Sequence, residues 1–343
     1  MRFFDASNMA TWVLDMAQER EIKTTRKSQK GTYLNFGWEA EHERSDEQNH
    51  INHTLVTAMP AFAAPPITDK PPKRLVLTDI WKQQLGEEYV VFWQKTGSCV
   101  GNGAGQSGTL TNAMEKFMLG EAQAIKILSY LMPYGMGRKL GGMDKVGEGS
   151  FGSAQAEALK KYGMYEINEP GMEPFENKGG GLTYGAQVEK RWSHGSWIER
   201  NKGEFIELGK KHLFGQASQM HSVDDVKHSI LKGCACTIAS NRGFKMTARP
   251  RSGALVLPAS GVWNHQMSFI GYWEHDSLGD LIAIINNWGP TAHGTCPSGL
   301  VPGAFWCTRE VAQYMIKQKE CFSIGMYNGY PEANILKLTD YMF

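Results

Sequence analysis

QKTGSCVGNGAGQSG, residues 94–108, is the stretch on which the fold turns. Cys99 follows Gly97-Ser98 and opens a segment, Cys99 to Leu119, whose later half carries apolar residues at helical spacing. Gly101, Gly103, Gly105 and Gly108 each cost about 1 kcal/mol against alanine inside a helix. So many glycines predict either close packing by another backbone or a helix that starts late. A thiol with an ordinary pKa of about 8.5 is a weak nucleophile at neutral pH, and a helix N-terminus together with a nearby imidazolium holds it as thiolate. The macrodipole at that end of a helix favours negative charge.

Two further stretches supply what such a thiol needs. WNHQMSFIGYW (263–273) and DLIAIINNWG (280–289) read as β-strands joined by a turn around HDSLGD. His265 lies near the start of the first, where a fixed backbone aims its ring. Asn286 ends the second and offers a side-chain carbonyl to the far ring nitrogen. Trp288 is placed to cover that hydrogen bond from water, which strengthens it. The Cys99 backbone N–H and the Gln94 side-chain amide are placed to stabilise a developing oxyanion.

With these residues in this order, the sequence resembles the papain-like (C1) cysteine peptidases, in the style of bacterial and phage members, over roughly residues 72 to 320. In that family a Gln precedes Gly-Ser-Cys by a few residues, as Gln94 precedes Gly97-Ser98-Cys99. Asn264-His265 with Gly271-Tyr272 matches its second motif, and Asn286-Asn287-Trp288-Gly289 its third, a register that makes Asn286 the triad member. A strip ahead of a helix pairs with substrate backbone in the family; Gly149, Ser150 and Phe151 are the similar segment, and Asn264 is carried over as a substrate contact. The resemblance implies an α+β fold of two lobes, a helical lobe led by the Cys99 helix and an antiparallel, β-barrel-like lobe. The sequence departs from the pattern in three places. Gln94 and Cys99 are five residues apart, one fewer than usual; Val100 stands where an aromatic follows the nucleophile; Thr96 stands where secreted members carry a disulfide cysteine.

Elsewhere the order is helices first and strands later, which also indicates α+β. RLVLTDIW (74–81) and YVVFWQ (89–94) read as strands. GSAQAEALKKYG reads as a helix capped by Ser150 or Ser153 and ended by Gly163. HSVDDVKHSILKG reads as a helix with Ser222 at its N-cap, and residues 171–203 look irregular. The polar first 70 residues end in AMPAFAAPPITDKPPK, an extended linker or a strap along a surface. They carry no convincing match to the family's helical propeptide. The expected organisation is a 1–70 extension, a 71–330 peptidase domain and a 331–343 tail.

The 343 residues carry 36 basic and 35 acidic side chains, a formal net charge of +1. Bulk electrostatics therefore give no reason to expect a nucleic-acid or membrane partner, and the cluster from Lys23 to Lys30 reads as a solvated face or arm. No apolar stretch of membrane-spanning length occurs, nor does a signal-peptide pattern. A cytoplasmic location, or one in a virion assembled there, is expected. Six cysteines in a chain this long do not make a disulfide scaffold, and neither a metal nor a cofactor site is read from their spacing. The expected function is an endopeptidase acting on polypeptides through a thioacyl intermediate. Two alternatives stand beside it: an assembly protein, such as a phage virion component, making its contacts through residues 1–70; and a Cys-His peptidoglycan amidase.

Overall fold

The computed structural model describes residues 34–35, 37–63, 70–145, 147–172, 184–293 and 299–330. Lys23 to Lys30, Pro65 and Pro66 of the linker, and the 331–343 tail lie outside them.

A 20-residue helix, α3 (Cys99–Met118), is the axis of the molecule and is buried along almost its whole length. It starts at Cys99 itself, so the glycines serve close approach. A Cβ on Gly101 would stand 2.5 Å from the Tyr134 Cβ, and one on Gly103 only 3.2 Å from the Met267 carbonyl oxygen. The helix is thereby pressed against α4 (Leu131–Leu140) on one side and the long strand β7 (Ala259–His275) on the other. Polar side chains complete this second contact. Ser107 Oγ meets Ser268 Oγ at 2.9 Å, and Ser268 Oγ donates to the Gly103 carbonyl.

Strand β7 is the spine of a mixed sheet. On one flank it pairs antiparallel with β4 (Cys236–Phe244), which leads to β10 (Cys321–Tyr327) and β3 (Phe214–Gln219). On the other it pairs antiparallel with β8 (Gly279–Ile285), followed by β9 (Ala304–Thr308), β6 (Ala254–Val256) and β5 (Arg249–Arg251). The β6–β9 contact is parallel. The expected barrel-like lobe is therefore an open sheet among the described residues. Its path ends on β3 and β5, and the β3 edge is taken up by residues 60–62, with Gln219 N donating to the Pro60 carbonyl and Phe62 N to that of Gln219. An edge strand covered in this way has no need of closure.

Three local readings change. In RLVLTDIW only β2 (Arg74–Val76) is a strand; Leu77, Ile80 and Trp81 then share one buried face of α2 (Leu77–Leu85), which ends at Gly86 in the left-handed region, φ 74°. Residues 89–94 make only a bridge, Trp93 to Trp288, because their backbone groups turn to partners around the site: Gly289 N donates to the Phe92 carbonyl and Gln94 N to that of Asn287. Residues 171–203, read as irregular, contain α6 (Ala186–Ser193) and the start of α7 (Gly195–Gly209). Glycines and aromatics hid the periodicity. Gly195 is needed because Asp144 lies where its Cβ would be, and Trp192, Trp197 and Phe205 pack against one another, Trp192 to Phe205 at 4.8 Å.

Helix α8 (Val223–Leu231) carries the Ser222–Asp225 capping box, with Asp225 N 3.1 Å from Ser222 Oγ. Helix α5 (Gly152–Lys161) is entered from Phe151 with no side-chain cap, so neither Ser150 nor Ser153 serves that end. Its own end fits the reading, for Gly163 adopts φ 74° and its N–H bonds the Ala158 carbonyl.

The N-terminal segment does not stand apart. Strand β1 (Leu34–Asn35) pairs parallel with Trp263 and Asn264 of β7. Residues 37–44 then cross to the 149–152 strip, and α1 (Asp46–Ala58), held by a Ser45–Gln48 capping box, packs on α5. No helix among the described residues is long and apolar enough to cross a membrane.

Candidate active site

His265 on β7 and Asn286 directly after β8 are brought together by the antiparallel β7–β8 register, in which Ser268 faces Ile285. His265 Nε2 lies 2.8 Å from Asn286 Oδ1. The surrounding donors decide which atoms carry hydrogen. Asn287 N, an obligate donor, also reaches Asn286 Oδ1, at 2.7 Å. Oδ1 is therefore the acceptor for both, and His265 Nε2 carries the proton. In the neutral ring the basic lone pair is then on Nδ1, the nitrogen needed to take a proton from a thiol.

The other end of the Asn286 amide is held by a residue the sequence reading missed. Asn286 Nδ2 donates to Nε2 of His293 at 3.0 Å, so that imidazole must be neutral to accept. Burial pushes His293 down to about 4, the Met246 backbone pulling weakly the other way, so it stays neutral through the physiological range. A histidine seven positions after the asparagine was the only signal for it. Trp288 stacks on the His265 ring, with centroids 4.9 Å apart and planes 30° from parallel.

Cys99, at the first turn of α3, is fully buried, as is His265. The N–H of Gln266, the residue after His265, points at Cys99 Sγ from 3.4 Å. Asn287 ties the same two elements together, its Nδ2 donating to the Cys99 carbonyl at 3.1 Å and to the Gln266 carbonyl at 3.0 Å. The adjacent asparagines divide the work: Asn286 faces the imidazole, and Asn287 locks helix to strand. The other buried thiols sit in different surroundings. Cys236 is pushed up to about 12 by burial, and Cys307 and Cys321 also go up, which leaves them inert.

The short approach to Cys99 is clamped from α6. The buried carboxylate of Glu189 accepts from Lys95 N at 3.0 Å, from Thr96 Oγ1 and Ser98 Oγ at 2.7 Å each, and from Tyr130 Oη at 2.6 Å. Burial pushes Glu189 up and these hydrogen bonds pull it back. Gln94 Nε2 donates to the Thr96 carbonyl at 2.8 Å, so one of its amide hydrogens is committed within this loop.

The N-terminal segment lies on Gly149, Ser150 and Phe151. Ser150 N donates to the Gly37 carbonyl at 2.8 Å and Glu39 N to the Ser150 carbonyl at 2.9 Å, a parallel bridge at Trp38. Gly37, at φ 110°, passes so close to the Gly97 carbonyl that no side chain fits there. Trp38 packs with Cys99, Val100 and Phe151 in one apolar cluster. Asn264 Nδ2 donates to Glu43 Oε2 at 2.8 Å. Residues 37–44 thus form a strap across the strip, the approach to Cys99 and the strand that carries His265.

No protein-family model matches the chain, and no curated protein matches it. Solved structures similar to it are papain-like cysteine proteases. Xylellain, a cysteine protease from Xylella fastidiosa, is 15% identical, with 79% of this chain and 88% of that one covered at a TM-score of 0.49. The ragweed pollen allergen Amb a 11, a cysteine protease solved in its proform, is 13% identical with 95% and 87% covered at 0.45. Bromelain from Ananas comosus is 14% identical with 74% and 98% covered at 0.42.

Proposed function

We propose that this chain is a cysteine peptidase held latent by its own residues 37–44. The observation that carries the reading is the fixed tautomer: Asn287 N–H sets Asn286, Asn286 sets His265, and the His265 base is left on Nδ1. In the reaction, Nδ1 takes the Cys99 proton and the thiolate attacks the substrate carbonyl, forming a C–S bond as the carbonyl electrons move to oxygen. The Cys99 backbone N–H and the Gln94 amide receive that oxyanion, Gln94 after turning from Thr96. His265 passes its proton to the amine as the C–N bond breaks, which leaves a thioacyl enzyme. Water, losing a proton to His265, then hydrolyses the thioacyl bond. Asn286 orients the imidazolium at each stage.

The strap sets the order of events, because Cys99 and His265 reach substrate only once it lifts. A thiol-directed peptide epoxide should label the native chain slowly and the full-length Gly37→Val chain quickly, and Cys99→Ala should abolish both labelling and peptide hydrolysis. A chain with the strap displaced and Cys99 alkylated by iodoacetamide, yet inert to the epoxide and to every peptide, would overturn the reading.

The same burial favours a second reading, an assembly component built on this fold. For that role, displacing the strap should change sedimentation or assembly without producing any hydrolysis.

A further inference from the structure

The Asn286 amide is held at both ends by imidazoles. Its Oδ1 lies 2.8 Å from His265 Nε2, and its Nδ2 lies 3.0 Å from His293 Nε2. An amide nitrogen only donates, so the three side chains form one directed chain of hydrogen bonds, from His265 through Asn286 to His293. Two aromatic rings seat its far end. Phe305, on β9, meets the His293 ring edge-on at 4.9 Å, and Trp288 lies 6.1 Å from it. The same indole stacks on His265, so one side chain walls both imidazoles. The groups packed on His293 are Phe305, Trp288, Asn286 and the Met246 backbone, and none of them carries charge. Burial keeps the ring neutral, the state in which Nε2 accepts. Asn286 and His293 are both buried, which keeps bulk water from standing in as the acceptor.

We infer that His293 is a positioning residue for the reaction: by accepting from Asn286 Nδ2 it fixes the amide and strengthens Oδ1 as the acceptor that holds the His265 imidazolium. This rests on the peptidase reading. An amide is conjugated, so an acceptor on its N–H pushes electron density toward its oxygen, and hydrogen bonds in such a chain reinforce one another. The gain is largest when His265 carries its second proton, because Oδ1 then meets a full positive charge. It therefore falls on the pair of Cys99 thiolate and His265 imidazolium and on the steps that pass through it. Substrate binding gains nothing from it. Without an acceptor at position 293, Nδ2 is buried and unmet, a cost that turning the amide toward another acceptor would relieve. Such a turn takes Oδ1 away from His265. The neutral ring is then free to carry its hydrogen on Nδ1, where it cannot take one from a thiol.

The test uses the full chain with the strap displaced in two independent ways: Gly37→Val, and Arg44→Glu, which sets like charge against the Glu320 carboxylate that Arg44 pairs with. Each receives His293→Gln, which keeps an acceptor, and two changes that remove it, His293→Phe and His293→Leu. Alkylation of Cys99 by iodoacetamide is followed against pH, and kcat and KM are measured on a fluorogenic peptide. Phe and Leu should raise the pH of half-maximal alkylation by about one unit. They should lower kcat by roughly tenfold while moving KM by less than about twofold. Gln should recover most of both losses. In 15N spectra, His265 should carry its hydrogen on Nε2 in the parent and in Gln, and on either nitrogen in Phe and Leu. An unchanged alkylation profile with an unchanged His265 tautomer in Phe and Leu overturns the positioning role and leaves the peptidase standing. So does a Gln chain as impaired as those two. If both acceptor-free chains fail to fold, the spectrum of the opened parent decides. Hydrogen on His293 Nε2 overturns the role; a bare Nε2, with the Asn286 side-chain hydrogens slow to exchange, supports it. If the opened parent cuts no peptide and its Cys99 alkylates as an ordinary thiol, the peptidase reading falls, and the His265 tautomer comparison alone judges His293.

Discussion

Glu189 and Glu320 are both buried carboxylates, and they are satisfied in opposite ways. All the described donors to Glu189 come from the body of the domain: Lys95 N, Thr96, Ser98 and Tyr130. Two of the three to Glu320, Trp38 Nε1 and the Arg44 guanidinium, come from the strap, and Gly152 N is the third. The first is a clamp that fixes the loop ahead of Cys99 for good. On the latency reading, the second is a socket whose plug is withdrawn when the strap lifts. Burial and charge alone do not separate structural from exchangeable acids; the origin of the donors does.

Removing the two acids should therefore have different consequences. Glu189→Leu strands four donors at once, each worth about 1–3 kcal/mol if left unmet, and should lower global stability by more than about 3 kcal/mol in urea titration. Glu189→Gln, which keeps an acceptor, should lose clearly less. Glu320→Leu should show its effect at the strap, since Arg44 can leave for water. A Glu320→Leu chain that loses as much global stability as Glu189→Leu would break the comparison.

Arg44→Glu sharpens it from the other side. Like charge in the socket should speed alkylation of Cys99 by at least about tenfold while moving the global unfolding midpoint little. An unchanged alkylation rate would mean that the strap does not guard the thiol.

The third prediction concerns pH. His293 is held near 4 in the fold against an unfolded value near 6.5, so the unfolded chain binds the extra proton between those limits. Stability is fully present above the unfolded value and is lost as pH falls toward 4, by up to about 1.4 kcal/mol per pH unit from this group. His293→Gln, which keeps an acceptor for Asn286 Nδ2, should flatten that slope. Parallel stability–pH curves for the two chains would remove His293 from the account. Smallest of all, Ser45→Ala should cost α1 about 1 kcal/mol of local stability, read by faster hydrogen exchange in residues 46–50.

How much of this was legible in the sequence followed sequence distance. Cys99 and Asn286 stand out because each sits at the end of a regular element, and His265 because it lies on a long apolar strand. The glycines of α3 left a close backbone neighbour and a late helix start both open, and the structure shows the first. Glu189 was hidden in a stretch whose glycines and tryptophans masked two helices. The strap was not legible at all: GWEAEHER reads as an ordinary polar segment, and its meaning lies in a partner 276 residues away. His293 lay in a turn with no pattern to mark it. The open sheet could not be foreseen either, because the edge cover on β3 comes from residues 60–62.

That edge contact bears on how the strap behaves once lifted. Main-chain bonds to Gln219 anchor residues 60–62, so a displaced strap stays on a tether of fewer than 30 residues. A tethered occupant returns at an effective concentration of about millimolar, whatever the dilution of the protein. On the peptidase reading, free peptide would have to outcompete that local concentration on every turnover. A single cut of the chain between Phe62 and Lys70 would turn the same occupant into one that can diffuse away. Latency would then depend on total concentration, and dilution itself would become the activating signal.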